Sequence, residues 1–215
     1  MKKVIYNFIL LILITFVSLT IILSTTGIKT KRFNNLIAKK INHLNNSINL
    51  KLTTIKFKLD LKELSLFLEA IDPKIYYQNS VIPAKNIKAY IDFISLVKSN
   101  PKLKKINLIL SQFDVEQLKK ISSNFKPSNF TSFINNRIKQ GKLNIELEVF
   151  LDDKNLFDNF IARGSVLNLE TEIKNNINLQ KTNFNFFADK SDILITNIVG
   201  ESGPIKIKDG DLKIK

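Results

Sequence analysis

Hydrophobic positions in this chain follow different rhythms in different stretches, and each rhythm predicts a different element. Residues 4–23 are apolar throughout. They hold no charge, no Pro and no Gly, and their polar members are Asn7, Thr15, Ser18 and Thr20. At about 1.5 Å per residue, such a helix spans roughly 30 Å, the thickness of a bilayer's hydrocarbon core. Helices of soluble proteins are rarely apolar all round over this length. The run is longer than the apolar core of a secretory signal, and no small-x-small cleavage pattern follows it. The sequence therefore predicts an uncleaved signal anchor carried by Val4, Phe8, Leu11, Phe16 and Leu23. Charge does not orient it. Lys2 and Lys3 precede the span, Lys29, Lys31, Arg32, Lys39 and Lys40 follow it, and large domains cross largely regardless of charge.

After a polar joint at Gly27, Phe33, Leu36, Ile37, Ile41 and Leu44 recur at helical spacing. This stripe predicts an amphipathic helix beside the membrane, packed on its own domain or lying at the lipid interface.

From Ser47 the period becomes two. Ile48, Leu50 and Leu52 alternate with polar residues, and so do Ile55, Phe57, Leu59 and Leu61. The apolar phase flips at Thr53-Thr54 and again before Leu64, Leu66 and Leu68, which predicts a bulge or tight turn at each flip. A hairpin is expected around Gln78-Asn79-Ser80, and further strands at Ile87 to Phe93 and at Ile106, Leu108 and Leu110. A helical turn is expected at 95–100. Asp114 with Gln117 reads as a capping box opening a short helix. A second helix is expected over 127–138, burying Phe130, Phe133, Ile134 and Ile138 and ending at Gly141. The last third alternates almost without pause: Leu143, Ile145, Leu147 and Val149, then Phe160 to Val166, Phe184 and Phe186, Ile193 and Ile195. Turns are expected at 152–155 and 189–192, and Asp209-Gly210 is a hairpin signal. An apolar edge strand is a liability in a soluble protein, so the sheet is expected to continue beyond the residues given.

Net charge is +14, but only Arg32, Arg137 and Arg163 are arginines. Lys-borne charge spread among many Asn and Ile residues is what AT-rich codons supply. Nucleic-acid readers favour the Arg fork, so no nucleic-acid partner is expected. Anionic headgroups are the better match for the lysines of residues 29–40. There is no Cys, hence neither a disulfide nor a thiolate metal site. The one histidine, His43, falls on the polar side of the amphipathic stripe, and no serine has a histidine base placed for it by sequence. Glu146 and Glu148 share the wet face of a strand. No catalysis, cofactor or metal is expected.

What repeats is a strand with one apolar face. An ordinary sandwich core and an open lipid-lined groove both satisfy that pattern. A groove would spare an acyl chain of about fifteen methylenes roughly 12 kcal/mol of exposure.

The residues Gly27 to Ile37, then Ile41-Asn42, Ile48 to Leu52 and Ile55 to Asp60, resemble the start of AsmA-like proteins. The resemblance is best over the first sixty residues. It implies an inner-membrane helix, a short helix, and a long antiparallel sheet curled into a lipid groove, with the body in the periplasm of a Gram-negative bacterium. It also implies phospholipid transport or outer-membrane lipid homeostasis. Family members are much longer than this chain.

The expectation is thus a mainly β protein with an N-terminal transmembrane helix, a curved open sheet of β-taco type and a few short helices. Residues 1–28 form the anchor and joint, 29–46 the juxtamembrane helix, and 47–215 a periplasmic β domain truncated at its C-terminal end. Candidate groove residues are Leu50, Leu52, Ile55, Phe57, Leu59, Leu66, Leu68, Ile106, Leu108, Ile145 and Leu147. The expected partner is membrane phospholipid, with possible envelope protein partners. Two alternatives stand beside it: a membrane-tethered β-sandwich that binds a protein, and a lipopolysaccharide-export component similar to LptC.

Overall fold

The computed structural model describes residues 2–31, 34–35, 37–39, 47–63, 65–92, 95, 102–152, 154, 156–174 and 177–215. The amino-terminal run is one helix, α1 (Lys2–Thr25). None of its apolar window is buried against the rest of the protein. Val4 is 72% exposed and Phe16 67%, and Phe8 and Leu11 are exposed as well; the helix is long and apolar enough to cross a bilayer. Its carboxyl end is tied off by its own hydroxyls. Thr25 Oγ1 donates to the Ile21 carbonyl at 2.7 Å, and the Gly27 N–H donates to the Ile22 carbonyl at 2.8 Å. Leu23, at this end, is half-buried.

The joint then becomes a strand. β1 (Ile28–Thr30) pairs antiparallel with β3 (Ile55–Asp60), so Lys29 and Thr30 belong to the sheet rather than to a helix. Of the expected juxtamembrane helix, residues 34–35 and 37–39 are helical, and Ile37 packs on the core; residues 40–46, with His43, lie outside the described residues.

The chain next builds a covered sheet. β2 (Ile48–Lys51), β5 (Lys74–Tyr77) and β6 (Ser80–Ile82) form a three-stranded sheet. β3, β4 (Ser65–Ile71), β7 (Ala84–Ile91) and β8 (Leu103–Leu110) are consecutive strands of a twelve-stranded one. The phase flip at Thr53-Thr54 is where the chain leaves the small sheet for the large one, and each side keeps its apolar residues inward. Leu50 and Ile75 of the small sheet meet Ala84, Ile87, Leu108 and Leu110 of the large sheet. Beside them, Ile55, Leu68, Ala70, Ala89 and Ile91 form a second cluster. The hairpin at Gln78 forms as expected, with Gln78 at φ 49°.

A helix pair sits at the end of this layer. β9 (Phe113–Asp114) leads into α2 (Val115–Ser122), and the Asp114–Gln117 capping box is present in both directions. α3 (Asn129–Arg137) starts on Ser128. It buries Ile134, whereas Phe130 is 72% exposed and Phe133 faces solvent. Gly141 does not end this helix. β10 (Ile138–Leu151) begins at once and runs through Gly141, whose φ of 155° accommodates register shifts against the next strand.

The remaining chain is long antiparallel strand: β11 (Phe157–Lys174), β12 (Ile177–Asp189) and β13 (Ile193–Ser202). Their turns are built as the sequence suggests, with Asp152 Oδ1 accepting from Lys154 and Leu156, and Asp189 Oδ1 from Ser191 and Asp192. Asp209-Gly210 makes no hairpin. β14 (Ile205–Ile207) and β15 (Leu212–Ile214) both pair with β13, at opposite ends of it, and the Gly210 carbonyl accepts from Ile198 between them.

The expected β-taco is corrected. The strand order runs from β1 at one edge to β13 with β14 and β15 at the other, and among the described residues no pairing joins the two edges. The sheets are neither closed nor strongly curled. Alternation states which face is apolar; it carries no information on curvature, which depends on bulges, strand tilt and closure.

Candidate functional site

Residues directly opposite in an antiparallel ladder point to the same side, so register alone assembles the faces. Phe57 pairs with Leu68, Leu68 with Ala89, Ala89 with Ile106, and Ile106 with Val149. Farther along, Leu108 pairs with Leu147, Leu147 with Ala162, and Ala162 with Ala188. Phe186 pairs with Ile195, and Ile195 with Leu212. One apolar face thus extends from β3 to β15.

Of the candidates drawn from sequence, Ile55, Phe57, Leu59, Leu66, Leu68, Ile106, Leu108, Ile145 and Leu147 lie on this face. Leu50 lies in the small sheet and packs onto it, and Leu52 sits between the two sheets against both clusters. Leu50, Ile55, Leu66 and Leu68 are buried core, and the others are half-buried. The candidate set stopped at Leu147, although the same alternation continues. Phe160, Ala162 and Val166 on β11, Phe184, Phe186 and Ala188 on β12, and Ile193 and Ile195 on β13 complete the face.

The two parts of the face differ in cover. The small sheet lies over β7 and β8, whereas no described apolar side chain after Ile134 is buried. Ile193 is 40% exposed and Ile214 47%. Phe186 is half-buried, with its ring close over Gly164. A Cβ at Gly164 would fall 2.8 Å from its ring and 2.0 Å from the Asn144 carbonyl oxygen, so glycine admits the ring and the close strand approach together.

The opposite face mixes charged side chains with apolar ones, Phe67, Tyr90, Phe187 and Leu194 among them, and its carboxylates are firmly bonded. Burial pushes the Glu69 carboxyl up, and the bonds and charges of Lys58, Asn86 and Lys88 overcome this, leaving it below its ordinary value. Lys58 Nζ lies 2.9 Å from Glu69 Oε2. Asn107 Nδ2 donates to Glu146 at 2.8 Å, and Arg163 Nη2 pairs with Glu148 at the same distance. These carboxylates are engaged in sheet structure. Burial drives the Tyr90 hydroxyl up to about 12, with Glu63, Asp60, Glu148 and Glu146 adding to the shift. Among the described residues no cluster of three His, Cys, Asp or Glu side chains is placed to hold a metal.

This geometry also corrects the lipid-transport expectation. An acyl chain needs a track walled on its sides, and no curved groove encloses the apolar face. The lipopolysaccharide-export alternative depends on the same missing feature. What the structure shows is a membrane-associated protein with an apolar N-terminal helix, the one such helix among the described residues, and a large β domain. No protein-family model, no curated protein and no solved structure matches the chain, so the likeness to AsmA-like proteins rests on residues 27–60 alone.

Proposed function

We propose that this chain is a non-catalytic, membrane-tethered docking module of the bacterial envelope. Its β domain stands in the periplasm, and a protein with an apolar surface covers the outer part of its sheet. The observation that carries the reading is the uneven cover of one continuous face. Ile193, Leu212 and Ile214 stay exposed in line with Leu66, Leu68 and Ile91, which are buried. Contiguous exposed apolar surface on a folded domain marks an interaction site. The resemblance of residues 27–60 to AsmA-like proteins supports the periplasmic side and an inner-membrane anchor. The anchor holds the module at the membrane, which raises its effective concentration for partners there.

A photo-reactive phenylalanine analogue at Phe186 or Ile195, activated in intact cells, tests the proposal. The expected result is a discrete protein adduct from both positions that is absent with the analogue at Leu61, which is exposed on the turn after β3. Lipid adducts alone, or the same adduct from Leu61, contradict it.

A further inference from the structure

On the opposite face, register sets one row of side chains across the sheet from the anchor outward: Lys29 opposite Lys56, Lys56 opposite Glu69, Glu69 opposite Lys88, Lys88 opposite Asn107, and Asn107 opposite Glu148. The charges are not evenly dealt. The outer end is acidic, with Glu146 beside Glu148. The end at the anchor carries two lysines directly opposite each other. Like charges in that relation destabilise a strand pair unless something neutralises them.

The row offers the pair a single carboxylate, opposite Lys56. Glu69 is the one carboxylate beside them, and it is taken by Lys58 at 2.9 Å and by Asn86 at 2.9 Å. Among the described residues no ion pair is formed by Lys29 or Lys56. Lys29 is exposed and Lys56 half-buried.

Position supplies the missing partner. Lys29 is the fourth residue after Thr25, the end of α1, which places it at most about 14 Å from the helix end. The turn that joins them lies on the lysines themselves. A Cβ at Gly27 would come within 2.6 Å of Lys58 Cγ and 3.4 Å of Lys56 Cβ, and Gly27 holds φ at +69°. The strand that carries Lys56 and Lys58 is therefore pinned at the mouth of the anchor, close to the range of about 10 Å over which surface charge acts at 0.1 M salt.

We propose that Lys29 and Lys56 form an anionic-phospholipid contact. The phosphate groups of acidic headgroups around α1 neutralise the pair and hold the first strands of the sheet down on the bilayer. This inference rests on the anchor and the row of charges, and is independent of the docking reading. The contact is with headgroups, and nothing in it moves a lipid.

The test uses the full chain in nanodiscs of phosphatidylcholine alone or with about a third phosphatidylglycerol. Amine acylation at each lysine is followed by mass spectrometry. Each basic residue near an acidic surface contributes about 1 kcal/mol, which is roughly fivefold. The acylation rates of Lys29 and Lys56 are expected to fall about fivefold in the acidic nanodiscs, while Lys126 and Lys139, exposed and at the end of the sheet opposite the anchor, stay within twofold. Equal slowing at all four lysines, or no slowing, overturns the proposal. So does equal protection by inorganic phosphate in neutral nanodiscs, which marks a soluble phosphate site. As a second readout, the double variant Lys29→Gln with Lys56→Gln is expected to retain severalfold less phosphatidylglycerol in native mass spectra than Lys126→Gln with Lys139→Gln. Equal retention overturns it.

Discussion

Strands β3, β4, β7 and β8 and strands β10 to β15 belong to one sheet and are written in the same alternation, yet they are different materials. In the first, both faces are buried. Leu66, Leu68 and Ile91 lie under cover on one side, while Phe67 and Tyr90 stack at 5.2 Å on the other, with Lys105 Nζ 4.4 Å from the Tyr90 ring centre. In the second, strands of 14, 18, 13 and 10 residues bury no apolar side chain. Their stability comes from long ladders and cross-strand pairs, each worth a fraction of a kcal/mol. The difference teaches that alternation assigns a face, while a second layer decides whether that face becomes core.

The contrast is broken most directly by truncating the same side chain in each region. Ile55, 1% exposed, is expected to lose about 2–5 kcal/mol on Ile55→Ala. Ile193→Ala, on the same face at 40% exposure, is expected to lose less than about 1 kcal/mol. Urea unfolding of the full chain in detergent measures both, and equal losses erase the distinction.

A smaller effect separates the regions by pH. The Tyr90 hydroxyl is held up to about 12 in the folded protein and titrates near 10 when unfolded. Its contribution is complete below pH 10 and is lost as pH rises toward 12, with an upper bound of roughly 2–3 kcal/mol. Tyr90→Phe should flatten that alkaline loss in a melting series. An unchanged slope shows that the ring is not buried as described.

Smaller again, Gly164→Ala probes whether the open region has fixed points of its own. The added methyl would meet the Asn144 carbonyl oxygen at 2.0 Å, and relief requires strand displacement costing about 1–3 kcal/mol. A loss below that of Ile193→Ala shows the two strands to be loosely apposed.

Much of this was legible in the sequence. The N-terminal apolar helix, the turns at Asp152 and Asp189 and the Asp114 cap depend on neighbours in the chain, and they read correctly. So did the apolar face, because a period of two leaves no freedom in which side a residue takes. The rest is non-local. Whether Thr53-Thr54 is a bulge or a change of sheet depends on strands far along the chain. Gly141 looked like a helix stop because helix termini favour glycine, but register shifts in a long strand also use it. Asp209-Gly210 looked like a hairpin because its flanks alternate, yet both flanks found a better partner in β13. Curl is the farthest from local chemistry, and with it went the groove.

The central claim is that one apolar face is core over its inner strands and free for a partner over its outer ones. Hydroxyl-radical footprinting tests it most directly, comparing Phe186, Ile193 and Ile195 with Leu66, Leu68 and Ile91, in purified protein and in native membranes. The account predicts fast oxidation of the first group in the purified protein, severalfold protection of that group in native membranes, and slow oxidation of the second group in both. Slow oxidation of Ile193 and Ile195 in the purified protein contradicts the open face, and fast oxidation of them in native membranes contradicts the partner.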